Sequence, residues 1–252
     1  MKSERVAALD LLKWVAIVTM VIDHCAYLLP ESWAWLYIPG RAAFPLFTLV
    51  IATHVFRQSP GDLTNQSNWL WLKRMVIFGC IAQPAFTLYI MAPTGDIFFT
   101  LALGVALALA YHHQASNRSA PLLFICVLAF SIAQRKLISY GLCGVILPTA
   151  FLYALKRGTV ETWLLPAAVA FLANLPDTKM AYDLVLEPVK TFNADQYHIV
   201  TGAVVAAGVC VAGLWVCRQR VSLAVPAVTR WAYWFYPAHL TGLLALQVFS
   251  RY

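Results

Sequence analysis

The sequence predicts an all-α fold, a polytopic bundle of about nine transmembrane helices (roughly seven to nine). Of the 252 residues, 61% are hydrophobic and only 12% are charged, whereas an ordinary soluble domain is roughly 45–50% apolar and about 25% charged. The mean hydropathy is +0.71. Such a chain could not cover a soluble surface with polar groups, and its composition also excludes disordered, collagen-like and disulfide-rich proteins.

Chain length limits the number of domains. A helix needs about 20 apolar residues to cross the hydrocarbon core, so eight or nine crossings use about 160–180 residues. The rest suffices for short loops, so we expect residues 1–252 to form a single membrane domain. The first apolar stretch contains Asp10 and Lys13 and is not followed by a small-residue cleavage site. We therefore expect a retained first helix rather than a signal peptide.

The elements follow from apolar runs, separated by charged residues or by clusters of proline, glycine and asparagine. No internal repeat is evident. The predicted spans are residues 6–29, 36–56, 69–91, 96–113, 119–134, 139–156, 161–175, 197–217 and 227–249.

The distribution of cations predicts a cytoplasmic N-terminus, because cytoplasmic loops are enriched in lysine and arginine. In this orientation the longest outer loop, residues 176–196, carries four acidic residues. The neighbouring Arg135 and Lys136 are the exception to the asymmetry. The cations of the inner segments are Lys2, Arg5, Arg57, Lys73, Arg74, Arg118, Lys156, Arg157, Arg218 and Arg220.

The net charge of +7 is explained by this asymmetry. No run of basic and aromatic residues of the RNA-binding kind is present, so we expect no nucleic-acid partner. The six cysteines form no CxxC pair and lie near no histidines at metal spacing. We interpret them as small buried hydrophobic residues and expect no metal site.

The first predicted span contains four polar residues, Asp10, Lys13, Asp23 and His24. At about 100° per residue, Lys13 and His24 differ by about 20° around the helix, and Asp10 lies within about 60° of both. These three form a stripe, whereas Asp23 points roughly 80–100° away from it. Buried charges in a bilayer often mark function, and imidazole suits proton transfer near neutral pH. An i,i+3 ion pair with a purely structural role is the alternative interpretation of Asp10 and Lys13.

Later spans carry further unusual residues. Gly40 permits close approach of another element, Arg41 brings a charge into the second span, and Asp96 suits a helix N-cap. A second intramembrane histidine, His239, lies beside Pro237. The neighbouring histidines at 112 and 113 are interpreted as solvated turn residues. The remaining interruptions are Pro45, Gln83, Pro84, Thr100, Tyr140, Gly141, Gly144 and Tyr236.

No P-loop, GxGxxG, HExxH or GxSxG motif is present. Proton transfer, acyl transfer and transport remain as possible chemistries. Transport is less favoured, because carriers often show corresponding broken segments in two halves. A non-catalytic chaperone for membrane insertion is a further alternative.

The residues described above resemble the TraX family. The matching blocks cover most of the chain in the expected order, while the outer loop and the seventh and eighth spans contain none of them. The blocks are Asp10-x-x-Lys13, Met20-Val-Ile-Asp23-His24, Gly40-Arg41-x-x-Phe44-Pro45-Leu46-Phe47, Gln83-Pro84-x-Phe86, Phe98-Phe99-Thr100-Leu101, Tyr140-Gly141-x-x-Gly144 and Tyr236-Pro237-x-His239-Leu240.

The resemblance implies a bacterial inner-membrane enzyme related to conjugation. It would transfer acetyl from acetyl-CoA to the N-terminal amine of a membrane-embedded pilin. A membrane O-acetyltransferase acting on a glycan remains an alternative.

Under this resemblance His24 is a general base oriented by Asp23, or is itself transiently acetylated. Arg41 would stabilise the tetrahedral oxyanion or a phosphate. Tyr236 and His239 would complete the pocket, and Asp10 and Lys13 would border the path. The phosphates of CoA would meet cations of the inner loops, for which the candidates are Arg57, Lys73, Arg74 and Arg157.

Overall fold

The computed structural model describes residues 7–61, 63–176 and 194–250, and within these ranges the chain is helical with no strand. Most of the predicted outer loop, residues 176–196, lies outside the described residues. The same holds for five cations, Lys2, Arg5, Lys179, Lys190 and Arg251.

Each predicted apolar segment contains a helix. Short 3₁₀ helices, Glu31–Leu36 and Glu161–Trp163, precede α2 and α8. The helices are α1 (Ala7–Ala26), the short α2 (Tyr37–Gly40), α3 (Ala43–Phe56), α4 (Gln66–Ile90), α5 (Ile97–His113), α6 (Ala120–Ala133), α7 (Gly141–Arg157), α8 (Leu164–Ala173), α9 (Ala194–Arg218) and α10 (Trp231–Phe249).

Two helical segments of the described chain are long and apolar enough to cross a membrane, Glu31–Phe56 with 26 residues and Asp195–Arg218 with 24. The other helices are shorter or more polar. Helix α1 carries Asp10, Lys13 and Asp23 within its 20 residues. Helix α6 has 14 residues, which corresponds to about 21 Å and is less than the ~30 Å of hydrocarbon in a typical bilayer.

The helix ends follow from local side-chain chemistry. The Asn65 side chain caps α4 by accepting a hydrogen bond from the Asn68 amide at 2.8 Å, and Asp96 caps α5 in the same way through the Phe98 amide at 2.8 Å. The prediction that Asp96 acts as an N-cap is therefore confirmed. Helix α7 ends at Gly158, whose φ of +72° is a left-handed conformation that glycine adopts without strain.

Successive long helices run in opposite directions. The start of α3 lies beside the end of α1, because Arg41 reaches Asp23. The end of α4 also meets the end of α1, because the Tyr89 hydroxyl donates to the His24 carbonyl oxygen. At the other end of the bundle, the Arg218 guanidinium donates to the Gly158 carbonyl oxygen, which joins the ends of α7 and α9.

The bundle therefore has two distinct ends. We call the end that carries most described cations the basic end, and the end where α7 begins the Tyr140 end. The Tyr140 end carries Arg135 and Lys136. The cations of the basic end are Lys13, Arg57, Lys73, Arg74, Arg118, Lys156, Arg157, Arg218, Arg220 and Arg230.

Helices α3, α5 and α7 form the centre of the core, where Leu49, Val105 and Phe151 are completely buried. Small residues set the spacing between helices. A β-carbon on Gly104 would lie 2.8 Å from the Pro148 Cγ. The backbone of α5 at Gly104 therefore packs directly against the Pro148 side chain of α7.

The interpretation of all six cysteines as buried is wrong for two of them. Cys80 on α4 and Cys126 on α6 are exposed, while Cys210 on α9 is buried. The exposed pair lies on the outward faces of outer helices, where the neighbouring side chains are also apolar and exposed, including Ile81 and Ile125. An apolar run alone does not reveal which face of a helix points inward.

Candidate functional site

A cavity of about 1350 Å³ is lined by residues from both ends of the bundle. Five of the seven predicted catalytic residues line it, and Asp10 and His239 lie behind its wall. The lining includes Lys13, His54, Trp71, Arg74 and Arg230 towards the basic end, Asp23, His24, Arg41 and Tyr236 further along, and Tyr27, Thr94, Arg135 and Ser139 towards the Tyr140 end.

Two histidines meet at the wall of this cavity. The Nδ1 of His24 on α1 lies 2.7 Å from the Nε2 of His239 on α10. Their rings are nearly parallel, with an interplanar angle of 8° and centroids 4.9 Å apart. The other ring nitrogen of His239, Nδ1, lies 3.2 Å from the Phe235 carbonyl oxygen, one helical turn earlier.

These contacts determine the protonation pattern of a neutral pair. A carbonyl oxygen only accepts hydrogen bonds, so Nδ1 of His239 donates to Phe235 and its Nε2 is an acceptor. Nδ1 of His24 must then donate to His239. This leaves Nε2 of His24 with a free lone pair, on a side chain that lines the cavity. The arrangement thus leaves an unprotonated imidazole nitrogen on a cavity-lining residue.

The second buried pair is Asp23 and Arg41, which form an ion pair through Oδ2 and Nη2. Asp23 Oδ1 and Arg41 Nε are buried without a hydrogen-bond partner among the described residues. A β-carbon on Gly40 would lie 2.4 Å from the Asp23 Cβ, so only glycine permits this approach of α2 to α1. The expectation that Gly40 allows close approach is confirmed.

The structure gives the two polar residues at the end of α1 different partners. Asp23 is hydrogen-bonded to Arg41, whereas the ring of His24 is hydrogen-bonded to His239. The expectation that Asp23 orients the His24 ring is therefore replaced by an orienting role for His239. The reason is geometric, because adjacent residues on a helix point about 100° apart.

Tyr140, at the start of α7, also contacts Arg41. Its hydroxyl accepts a hydrogen bond from Arg41 Nη1 at 3.2 Å, and its ring stacks on Phe44 with centroids 4.3 Å apart. Tyr140 has a φ of +61°, a left-handed conformation that is uncommon for a residue with a side chain. Gly144 makes room for it, since a β-carbon there would lie 2.7 Å from the Tyr140 Cβ.

Gln83 and Asp96 build the loop beside Tyr236. The Gln83 Oε1 accepts from the Asp96 amide at 2.7 Å, and its Nε2 donates to the Thr94 carbonyl oxygen at 3.3 Å. The Tyr236 side chain lies against the Asp96 carboxyl. Its ring meets the His24 ring edge to face at a centroid distance of 6.0 Å. The loop thus supports a phenol hydroxyl next to the histidine pair.

Asp10 and Lys13 form the i,i+3 ion pair that the alternative interpretation predicted, with Lys13 Nζ 3.2 Å from Asp10 Oδ1. Asp10 also accepts from the Val228 amide at 3.3 Å, and Lys13 donates to the Val228 carbonyl oxygen at 3.4 Å. The pair therefore attaches the segment before α10 to α1. The predicted stripe divides into this structural pair and the separate histidine pair.

The comparison with known proteins comes from sequence. The sequence model of the TraX protein family matches residues 8–247. The chain belongs to the TraX family. No solved structure matches it.

Three relatives support this membership. The chain is similar to Protein TraX of Escherichia coli, at 27% identity over 68% of this chain and 66% of the relative. It is also similar to Protein TraX of Escherichia coli strain K12, at 27% identity over 68% of this chain and 66% of the relative. The probable fimbrial assembly protein FimC, serogroup H1, of Dichelobacter nodosus is 29% identical over 62% of this chain and 67% of its own length. The chain thus spans just under two thirds of the two Escherichia coli relatives.

The structure places the four predicted phosphate-binding cations of this TraX-family chain differently. Arg74 lines the cavity, whereas Arg57, Lys73 and Arg157 are exposed and outside its lining. Arg157 instead lies over the Tyr153 ring, 5.4 Å from its centroid. Sequence reasoning missed Arg230, which lines the cavity immediately before α10. Its only signal in sequence was a lone cation ahead of the last apolar segment.

His112 and His113 are buried in the last turn of α5, so their interpretation as solvated residues is wrong. His112 Nε2 lies 2.9 Å from the Gln58 carbonyl oxygen, and the Gly61 amide donates to His113 Nδ1 at 2.9 Å. The two rings attach the loop between α3 and α4 to the end of α5. Such use of histidine as a loop anchor leaves no distinctive spacing in the sequence.

Proposed function

We propose that this TraX-family protein is a membrane acetyltransferase that moves an acetyl group from acetyl-CoA to the N-terminal amine of a pilin subunit. The observation that carries the proposal is the histidine pair, which presents His24 Nε2 as a base in a large cavity. Acyl transfer to an amine needs such a base to remove the proton that the nucleophile loses.

The proposed setting is the bacterial inner membrane, crossed nine times with the N-terminus and the basic end in the cytoplasm. Large apolar side chains are exposed on several helices, including Trp69, Leu88, Leu122 and Trp215. Lipid rather than water is the favourable surrounding for such faces. The concentration of cations at one end supports the orientation. The whole chain, residues 1–252, would act as one membrane domain.

The choice of acceptor is supported by the relatives. One of them is named a probable fimbrial assembly protein, and pilins are the subunits from which fimbriae are built. A pilin held in the same membrane could present its N-terminal amine to the cavity.

The residues present fit an acyl-CoA donor. The cavity of about 1350 Å³ has cations at its basic end, Lys13, Arg74 and Arg230, and it continues to His24. Cations of this kind suit the phosphates of CoA. The donor supplies an acetyl group activated as a thioester. It would enter from the cytoplasm, where the basic end is placed.

His24 and Arg41 have different roles in the proposed transfer. His24 Nε2 takes the proton of the attacking amine as the amide C–N bond forms, and the resulting imidazolium is stabilised by its hydrogen bond to His239. The imidazolium then gives the proton to the CoA thiolate, which leaves as the thioester C–S bond breaks. Arg41, which has a buried Nε without a partner among the described residues, provides positive charge near the cavity for the oxyanion. A second route uses the same nitrogen as the nucleophile, so that His24 carries the acetyl group between donor and acceptor.

Intact mass spectrometry of pilins from producing cells tests the proposal. Cells with the wild-type protein should contain a pilin heavier by one acetyl group, and cells with His24→Ala should not. His198→Ala is the matched control, because His198 lies at the start of α9 and outside the cavity lining. Acetylated pilin in the His24→Ala strain would refute the role of His24. An acetyl group found on a glycan and not on a pilin would show that the acceptor is a glycan.

A further inference from the structure

We propose that the mouth of the cavity at the basic end binds the nucleotide part of the acyl-CoA donor. Arg74 and Arg230 bind its phosphates, and the adenine ring lies against Trp71. This inference rests on the proposed function, and it names the place and the residues that would recognise the donor.

Arg74 and Arg230 face a common space. Both line the main cavity, and both also line a smaller adjoining pocket of about 300 Å³ between α4 and α10. Within residues 7–61, 63–176 and 194–250 the ion pairs are Asp10–Lys13 and Asp23–Arg41, so neither arginine is neutralised by a carboxylate there. Two arginines that converge on a cavity without a carboxylate suit a phosphate ligand, because each guanidinium can donate two parallel hydrogen bonds.

The same mouth offers an aromatic surface. Trp71 lines the cavity one turn before Met75, and the centroid of its ring lies 6.3 Å from that of the His54 ring. Tyr233 on α10 also lines the cavity and lies beside Trp71, close enough for a hydrogen bond between the two side chains and for an electrostatic interaction with Arg74. Flat aromatic side chains next to arginines suit a purine base that carries phosphates, since stacking on an aromatic ring is worth about 1–3 kcal/mol per base.

The distance from the mouth of the cavity to the histidine pair indicates which kind of nucleotide could deliver an acyl group to His24. Lys13 lines this mouth, and His24 follows it on α1 at about 16 Å along the helix axis. A nucleotide bound at the mouth therefore reaches His24 only through a long, flexible arm that ends in its reactive group. A coenzyme A thioester has such an arm, whereas a simple acyl phosphate or acyl adenylate does not.

Binding of unacylated CoA to the purified full-length protein in lipid nanodiscs tests the site without relying on catalysis. Isothermal titration calorimetry should show about tenfold weaker binding for Arg74→Gln and for Arg230→Gln, because each loses a charge-assisted contact to phosphate. Lys73→Gln is the matched control. It removes a cation from the neighbouring position of α4, but Lys73 is exposed and lies outside the cavity lining, so affinity should stay within about twofold.

Two further comparisons distinguish loss of charge from misfolding and test the contact between Trp71 and the adenine ring. Arg74→Lys keeps the charge and should recover part of the lost affinity. Trp71→Leu should weaken binding of adenosine 3′,5′-bisphosphate several-fold, whereas Trp69→Leu should not, since Trp69 points away from the protein with 66% of its surface exposed. Should Arg74→Gln misfold, Arg230→Gln at an exposed position gives the same test.

The outcomes distinguish this inference from the proposed function. Tight CoA binding that is equally insensitive to Arg74→Gln, Arg230→Gln and Lys73→Gln would overturn the nucleotide site and leave the acetyltransferase proposal standing. A wild-type protein that binds no CoA would overturn both. Reduced CoA binding in the two arginine variants would support the site even if no acetylated pilin were found.

Discussion

At the scale of single residues, the contact between His24 and His239 carries the most chemical information. Its length of 2.7 Å and the carbonyl oxygen behind His239 assign a donor and an acceptor to each ring of the neutral pair. A histidine that donates from Nδ1 is left with a basic Nε2. The proposed role of His24 thus depends on a residue that is 215 positions away in sequence.

Replacing His239 should therefore change activity without removing the base itself. His239→Ala removes the acceptor for His24 Nδ1, and the pilin acetylation rate should fall by about 10–100-fold, as is usual when an orienting partner is lost. His239→Gln retains an acceptor oxygen and should keep more activity than His239→Ala. Equal rates for the two variants in a single-turnover assay would show that orientation is unimportant.

A second prediction at this scale concerns the buried ion pair. Asp23→Asn leaves Arg41 charged and without its carboxylate, so the free energy of unfolding should fall by about 3–5 kcal/mol. The double variant Asp23→Asn/Arg41→Gln should lose less, because no buried charge remains unpaired. Denaturant unfolding of the purified variants measures both. A double variant less stable than the single one would mean that the pair is not the main contribution of Asp23.

At the scale of elements, the site is held together by close approaches of short segments. The short helix α2 lies against α1 at Gly40, and the left-handed residue Tyr140 at the start of α7 reaches Arg41. Gly202 on α9 completes the enclosure, since a β-carbon there would lie 2.9 Å from the Arg41 Cγ. Four elements thus surround one guanidinium, which explains why glycines occur around it.

Gly40→Ala should disrupt this arrangement. The added methyl group would overlap the Asp23 side chain, so stability should fall by about 1–3 kcal/mol and the ion pair should be displaced. Gly208→Ala is the matched control, because a β-carbon at Gly208 would have no neighbour within 4 Å. Thermal unfolding of the two variants makes the comparison. A loss of stability for Gly208→Ala as large as that for Gly40→Ala would contradict the steric explanation.

At the scale of the whole molecule, antiparallel helices collect most of the described cations at one end, and one cavity connects that end to His24. Under the proposed function, this arrangement would give donor and acceptor separate sides from which to enter. In the proposed topology, Lys73 faces the cytoplasm and Arg135 faces the outside. Both are exposed.

Cysteine labelling of intact cells tests this topology. In a background where the native cysteines are replaced by serine, Arg135→Cys should react with a membrane-impermeant maleimide that has access to the periplasm. Lys73→Cys should react only after the inner membrane is permeabilised, because the bilayer excludes the charged reagent. The reverse pattern would invert the orientation. Labelling of both positions from outside would exclude an odd number of crossings between them.

The sequence by itself determined the helical class, the location of each helical segment and the family. Apolar runs and their breaks locate helices because backbone hydrogen bonds and side-chain periodicity are local properties. The same local reasoning correctly identified the Asp96 cap and the close approach at Gly40. It also brought His24, Arg41, Tyr236 and His239 forward as candidates, because charged and polar groups in apolar segments are unusual.

Only the tertiary structure decided which of these residues are partners. His24 pairs with His239 rather than with the adjacent Asp23, Arg74 lines the cavity while Lys73 does not, and His112 is buried rather than solvated. Each outcome depends on which face of a helix meets another helix. That is set by the packing of segments far apart in the chain, and no local spacing encodes it.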